Sequence, residues 1–163
     1  MPTLEFDSTI AAPLEEVWAF YSDPTAALTA VTPPDITATI ESADVPVKVG
    51  SRVILHIEQM GRRMRWVARI DEHRPPHAVA FGEEARFVDV QESGPFKLWR
   101  HEHDFERIDA ENTRMLDRIT YRVPFGPIGW IFDLLFVRRR VNAMFRYRHA
   151  QTKRLLERGE IRC

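Results

Sequence analysis

Alternation of apolar and polar residues dominates the chain up to residue 124 and predicts mostly β-strand. In residues 4–10, Leu4, Phe6, Ser8 and Ile10 share one face, the period of two expected of a half-buried strand. Further strands are predicted near residues 36–42, 51–58, 63–72, 77–82 (continuing irregularly to 92), 97–108 and 113–123, with turn-forming residues between them. Because these links are short, we expect antiparallel hairpins.

Helical spacing replaces this alternation near both ends. After Pro13, apolar residues recur every three or four positions and predict a short helix, and Asp23 is a suitable N-cap for a second one ending near Val31. A long helix is predicted over residues 128–158. Its expected apolar stripe consists of Leu134, Val137, Val141, Phe145, Arg148, Thr152 and Leu155, widened by Ile131, Leu135 and Met144.

A helix with one apolar stripe must cover a partner surface, and only the sheet is large enough. The order of elements therefore predicts an α+β fold in which a curved antiparallel sheet of about six to seven strands wraps round the C-terminal helix. The 163 residues, 44% of them hydrophobic and 29% charged, fit one domain spanning 1–163 and exclude a disordered chain.

Neither export nor membrane insertion is expected from the sequence. Glu5 and Asp7 oppose a signal peptide, the lone cysteine is Cys163, and the apolar run 126–137 contains Asp133 and is shorter than the ~20 residues of a spanning helix. We therefore expect a cytoplasmic protein.

Charge is distributed unevenly although the whole chain carries −1. Residues 138–158 hold eight basic residues and one acid, a net of +7, which leaves −8 for the rest. We interpret this segment as the solvated face of a helix on an acidic body, with no nucleic-acid partner and no membrane contact expected. Docking of the basic helix and residues 130–132 on a membrane or partner is kept as a minor alternative.

The last two predicted strands carry the candidate chemistry. Trp99, His101, His103 and Phe105 alternate with charged residues, as do Met115, Asp117, Ile119 and Tyr121. A loop two residues longer would also keep the charged faces matched, but a three-residue loop at 109–111 pairs Glu106 with Arg114 and Glu102 with Arg118. On the other face it sets Phe105 against Met115, His103 against Asp117, His101 against Ile119 and Trp99 against Tyr121.

The preceding strand is expected to bring Asp89 near His101 or Trp99. Two acids and two histidines then share the inner face, where burial of an unpaired carboxylate costs several kcal/mol. Three interpretations stay open: a structural polar network, the polar end of a ligand site, and a His–Asp acid/base pair. No third imidazole is evident, so neither metal nor cofactor is expected. His56, His73, His77 and His149 are assigned to the surface or an edge.

Several motifs resemble one superfamily along essentially the whole chain. They are APLEEVWAFYSDP at residues 12–24, FVDVQ at 87–91, GPF at 94–96, WRHEHDF at 99–105, Asp117 with YRVPFGP at 121–127, and FVRR at 136–139. These motifs resemble the START-like helix-grip (SRPBCC) superfamily, which includes polyketide cyclase/dehydrase-like proteins, and within it a bacterial ligand-binding subgroup. The resemblance implies an apolar cavity between the sheet and the long helix, with its mouth near residues 124–129.

The first functional hypothesis is binding of a small, mostly apolar molecule with a polar end. Enzymatic activity of a cyclase, dehydratase or hydrolase type is the alternative, with His101, His103, Asp117 or Asp89 as catalytic candidates. A homodimer is left open. The expected ligand-binding residues are Trp66, Phe87, Asp89, Gln91, Trp99, His101, His103, Phe105, Met115, Asp117, Ile119, Tyr121, Val141 and Phe145.

Overall fold

A computed structural model of the chain describes residues 1–59, 61–78 and 82–159. Seven strands form one antiparallel sheet in the order β1-β7-β6-β5-β4-β3-β2. Their bounds are Thr3–Ile10 (β1), Thr37–Ala43 (β2), Arg52–Gln59 (β3), Arg62–Arg74 (β4), Ala85–Ser93 (β5), Leu98–Arg107 (β6) and Thr113–Arg122 (β7). Some predicted features lie outside the described residues: the turn position Met60, residues 79–81 of one predicted strand, and Cys163.

Helices follow the first and last strands, which confirms the predicted α+β helix-grip arrangement. Two short helices, α1 (Leu14–Ser22) and α2 (Pro24–Val31), come directly after β1. Asp23 caps α2 as predicted, because its Oδ1 accepts hydrogen bonds from the N–H groups of Thr25 and Ala26. At the other end, α3 (Gly126–Phe132), a π-helical segment (Asp133–Val137) and α4 (Arg138–Glu157) continue one into the next.

The predicted strand beginning at residue 77 was wrong at its start. Residues Pro76–Ala78 form a 3₁₀ turn, and β5 begins only at Ala85. The two prolines at 75 and 76 explain the difference, since proline fixes φ and has no N–H to give to a strand ladder.

The predicted register of the last hairpin is confirmed. His103 lies opposite Asp117 and His101 opposite Ile119, with the other predicted pairs in place, and Asp89 on β5 lies opposite His101. On the outer face, the guanidinium of Arg118 lies 2.9 Å from Glu102. The sequence pattern excluded a one-residue slip, which would reverse both faces of each strand.

The long C-terminal helix packs on β1 and α2 with a face that coincides only in part with the one predicted. Its buried residues in α4 are Val141, Phe145, His149, Thr152 and Leu156. The predicted stripe members Ile131, Leu134 and Leu135 are instead about half exposed. The π-helical segment accounts for this change, because its wider turn shifts the helix faces before and after it out of phase.

Two apolar clusters fill the space between sheet and helices. One gathers round α1 and includes Phe105 and Met115; the other includes Trp99, Ile119 and Phe145. Along β6 the two clusters are separated by His101 and His103. The core is therefore divided by a polar layer, and that layer is the candidate site.

Candidate functional site

Two imidazoles and two carboxylates contact one another in the core, and we call this group the polar cluster (Asp89, His101, His103 and Asp117). Asp89 Oδ2 lies 3.3 Å from His101 Nδ1 and 3.2 Å from His103 Nε2. On the other side, Asp117 Oδ1 lies 3.4 Å from His101 Nε2 and 3.0 Å from His103 Nδ1. Each ring thus faces a carboxylate at both nitrogens, which is the arrangement that imidazolium cations favour.

The polar cluster continues into the C-terminal helix through a residue that the sequence analysis misassigned. His149, expected at the surface, is buried, with its Nε2 3.0 Å from Asp117 Oδ2 and its Nδ1 2.7 Å from the hydroxyl of Ser8. The spacing 141-145-149-152-156 on α4 is the signal that could have identified it. Asp117 therefore faces three imidazoles, from β6 and from α4.

Opposite charges keep the two carboxylates of the cluster ionised. Burial alone would raise the pKa of Asp117, but electrostatic attraction by His103 and His101 holds it well below its usual value. The same two rings outweigh burial at Asp89 and lower its pKa as well. At His101, burial alone would lower the pKa, but Asp117 and Asp89 raise it above its usual value. Both carboxylates are therefore ionised, and His101 between them favours its protonated form.

Three buried atoms of the cluster face one another without a well-aligned hydrogen bond: His101 Nε2, His103 Nδ1 and Asp117 Oδ1. One potential metal-ligand atom from each of Asp89, His101 and His103 lies within 4.8 Å of the other two, a spacing that a metal ion could bridge. Imidazole–carboxylate contacts account for these distances without a metal, so the geometry does not require one.

Aromatic rings pack on the imidazoles from both ends of the cluster. Phe87 stacks on His103 with the ring centroids 4.0 Å apart, and Phe145 meets His101 edge-on at 4.8 Å. Tyr21 contributes from α1, with its ring 5.8 Å from His103 and its hydroxyl 2.8 Å from that of Thr152. These contacts fix both imidazole planes and exclude water from most of the cluster.

One part of the sheet's inner face remains incompletely covered. The register of β3, β4 and β5 turns Met64, Trp66, Ala68, Phe87 and Asp89 inward, yet all five are only half-buried. The side chain of Asp89 keeps 18% of its surface exposed, against 1% for Asp117. We call this strip the cleft; the polar cluster meets it at Asp89.

Arg148 adds a cationic group on the helix side of the cluster. Its guanidinium carbon lies 5.2 Å from the centre of the Phe145 ring, and its charge acts on Tyr21. The side chain is half-buried, and its buried Nε has no hydrogen-bond partner within the described residues. Helical spacing placed Arg148 on the predicted apolar stripe, with no role in binding or catalysis.

Most of the predicted ligand-binding residues are brought together, but they differ in accessibility. Trp66, Phe87 and Asp89 line the cleft. Fully buried and packed against one another or against α1 are Trp99, His101, His103, Phe105, Met115, Asp117, Ile119, Tyr121, Val141 and Phe145.

Two of the predicted ligand residues have their polar atoms engaged elsewhere. The amide of Gln91 closes the turn after β5, because its Nε2 donates to the carbonyl of Phe96 at 2.7 Å and its Oε1 accepts from the N–H of the same residue. The hydroxyl of Tyr121 donates to Asp133 at 2.8 Å. We therefore assign Gln91 to the turn, and the hydroxyl of Tyr121 to anchoring the π-helical segment.

A separate groove of about 390 Å³ lies at the ends of β2, β3 and β4. Polar side chains such as Asp35, Glu58 and Arg62 line it, and none of its lining residues belongs to the polar cluster or the cleft. The groove therefore contributes nothing to the chemistry described above.

Solved structures with the same architecture identify the fold. The Zhui aromatase/cyclase from Streptomyces sp. R1128 superposes with a TM-score of 0.66 at 18% identity, covering 94% of each chain. A START superfamily protein from Mycobacterium smegmatis gives 0.65 at 13%, covering 94% of this chain and 98% of that one. The chain has the START-like fold.

A third solved structure is a point mutant of norcoclaurine synthase from Thalictrum flavum in complex with a transition-state analogue. It gives a TM-score of 0.66 at 13% identity, covering 98% of this chain and 96% of that one. No protein-family model matches the sequence, and no curated protein matches it. At such identities the likeness establishes the START-like fold alone. Function must be argued from this chain's own residues.

Proposed function

We propose that the protein binds a small, mostly apolar molecule with a polar end in the cleft. Half-buried Met64, Trp66 and Phe87 would contact the apolar body, while Asp89 and Arg148 would contact the polar end. Apolar walls with a few placed polar groups are the usual composition of a small-molecule site. A bound apolar body would also cover inward-facing side chains that the protein itself leaves half exposed.

The observation that carries the proposal is the state of Arg148. A buried guanidinium nitrogen without a partner is costly, and none of the ion pairs among the described residues includes Arg148. A ligand group that accepts hydrogen bonds, such as a carboxylate or an enolate, would supply the missing acceptor. The polar cluster does not compete for this role, because its carboxylates are already matched by imidazoles.

Asp89 would give the site its second point of recognition. It is the cluster carboxylate that reaches the cleft, and its low pKa keeps it an acceptor at neutral pH. A ligand hydroxyl or N–H could therefore donate to Asp89 while an acceptor on the same ligand meets Arg148. This combination favours a molecule with both a donor and an acceptor at its polar end.

Native mass spectrometry of protein purified from its own host tests the proposal. The wild type is expected to carry a small molecule that denaturation releases. Arg148→Met should lose that molecule, whereas Arg146→Met, on the exposed side of the same helix, should retain it. A bare wild-type mass, also after incubation with a small-molecule extract of the host, would contradict the proposal, as would equal occupancy in both variants.

An enzyme of the cyclase or dehydratase type is the second candidate. The specific observation in its favour is that His103 and His101 contact oriented carboxylates, as acid/base catalysis requires, in a fold shared with the aromatase/cyclase and norcoclaurine synthase named above. If this is correct, the co-purified molecule or its precursor should change mass over time with the wild type. The change should stop in His103→Ala while the molecule still binds.

A further inference from the structure

A continuous set of large apolar side chains is exposed where β7 passes into the C-terminal helix. We call it the apolar patch; its members are Phe125, Ile128, Trp130, Ile131, Phe132, Leu134, Leu135 and Phe136, with exposed fractions from 49% to 82%. Within residues 125–136, only Gly129 and Asp133 are buried. Single exposed apolar residues are ordinary, but a concentration of this kind marks an interaction surface.

The patch changes the expectation of no membrane contact. That expectation rested on an acidic body compensating the basic helix, and the predicted apolar stripe placed Ile131, Leu134 and Leu135 against the sheet. The protein instead anchors this segment through the bond between Asp133 and Tyr121 and leaves the apolar side chains outside. Phe125 adds to the anomaly, because it takes a left-handed conformation (φ 73°) that costs a non-glycine residue about 1–2 kcal/mol and keeps its ring 82% exposed.

The charged residues that flank the patch along the chain are basic, and of these Arg140 is paired with Asp35. Exposed arginines flank it at Arg122, Arg138, Arg139 and Arg140, and Arg122 and Arg139 have no acidic partner among the described residues. From residue 122 to residue 156 the only acid is Asp133, which is buried. Aromatic and aliphatic side chains beside unpaired arginines are the combination that binds the interface of an anionic bilayer.

A second copy of the chain fits this surface less well. Pairing two patches face to face would bring the two sets of arginines together with no exposed acid in the segment to compensate them. Like charges placed opposite each other oppose association. An anionic membrane suits both parts of this surface, since its hydrocarbon region can take up apolar side chains and its phosphates can contact arginines.

We infer that the apolar patch docks the protein on anionic membranes, with the apolar side chains entering the headgroup region and the arginines contacting lipid phosphates. The contact is interfacial, because no helix within the described ranges is long and apolar enough to cross a membrane. The inference rests on exposure and charge at residues 122–140 and does not depend on the proposed ligand.

Vesicle co-sedimentation of the full chain measures the docking. Binding is expected to vesicles of phosphatidylcholine with about one third phosphatidylglycerol and to be much weaker to pure phosphatidylcholine. About 0.5 M NaCl should weaken the binding, because salt screens charges at the lipid surface. Trp130 is 64% exposed, whereas the other tryptophans are buried or half-buried. The fluorescence of Trp130 should therefore shift to the blue on docking.

Matched variants separate docking from loss of fold. Phe132→Asp should reduce the partition coefficient more than tenfold, and Arg139→Gln about fivefold. The controls are Ile108→Asp, an exposed apolar residue in the β6–β7 turn, and Arg63→Gln, an exposed arginine on β4; both should bind like the wild type. Trp130→Phe should keep binding and lose the spectral shift. Circular dichroism verifies that each variant is folded.

Two results would overturn the inference. The first is absence of binding to the anionic vesicles by folded wild type, or binding that Phe132→Asp and Arg139→Gln leave unchanged. The second is a dimer in analytical ultracentrifugation that Phe132→Asp dissociates, which would assign the patch to self-association. Neither result bears on ligand occupancy measured with Arg148→Met, so the two proposals fail separately.

Discussion

Replacement of Asp117 by asparagine is the most informative perturbation of the polar cluster. The two side chains have nearly the same shape, so Asp117→Asn removes a negative charge without opening a cavity. The carboxylate is 1% exposed and lies 3.0, 3.0 and 3.4 Å from nitrogens of three imidazoles. The substitution thus isolates the electrostatic contribution of one buried group.

The expected cost follows from those distances. Two unit charges 4 Å apart interact with about 4 kcal/mol at an effective dielectric constant of about 20, and removing one partner of a buried ion pair typically costs about 3–5 kcal/mol. We expect Asp117→Asn to lower the free energy of unfolding by about 3–5 kcal/mol near pH 6. Asp71→Asn makes the same change at an ion pair with Arg100 on the outer face and should cost about 1 kcal/mol or less.

The cost of Asp117→Asn should change with pH in a direction set by the pKa of His101. Because Asp117 and Asp89 raise the pKa of His101, the stabilisation is fully present below the unfolded-state value of about 6.5 and disappears as pH rises through the folded-state value. Asp117→Asn removes a major cause of the raised pKa of His101. The difference in free energy of unfolding between variant and wild type should therefore be larger at about pH 6 than at about pH 9. The lowered carboxylate pKa values mean that the wild type keeps this stability down to about pH 4.

Urea unfolding followed by circular dichroism and tryptophan fluorescence measures both quantities. The reasoning would be refuted if Asp117→Asn were as stable as the wild type near pH 6. It would equally be refuted if its cost were the same at about pH 6 and about pH 9, because a purely steric defect has no such dependence.

Three further substitutions probe the surroundings of the site. Phe145→Ala, which empties a fully buried position, should lower stability by about 3–5 kcal/mol; a loss below about 1 kcal/mol in urea titration would contradict the packing. Gly129→Ala would place a Cβ 1.8 Å from the carbonyl oxygen of Pro124 and should cost about 1–3 kcal/mol, so an unchanged Tm would refute that contact. Tyr121→Phe removes the donor to buried Asp133 and should cost about 1–3 kcal/mol by urea unfolding, whereas a stabilising effect would contradict the bond.

Strand pairing could be predicted because it depends on short-range regularities. The charged outer faces of β6 and β7 admitted few registers, and the predicted pairing of His103 with Asp117 followed from matching them. Antiparallel neighbours joined by short turns need no long-range information, and the predicted sheet and long helix were correct for the same reason.

Helix orientation was harder to predict, because an apolar residue on a helix has more than one surface to cover. Leu134 and Leu135 continue the apolar spacing of α4, but the π-helical segment changes the phase between them and Val141. Within α4, the predicted stripe included Arg148 and Leu155 at positions where the protein instead buries His149 and Leu156. A sequence pattern with a constant period cannot anticipate a local change in helix geometry.

The part of the site that determines ligand access could not be predicted either. Whether Trp66 and Phe87 are covered depends on where the helices rest on the sheet, which is a tertiary property. The pattern identified which residues face inward, and only the packing distinguished the half-buried cleft from the closed core around Trp99.

The ionic state of the polar cluster is the claim on which the site depends, and long-range ¹H–¹⁵N correlation NMR of the imidazoles tests it directly. The raised pKa of His101 predicts that both of its ring nitrogens stay protonated above about pH 6.5, the value at which a free imidazole is half deprotonated. A neutral His101 ring with one protonated nitrogen at about pH 6 would contradict the claim.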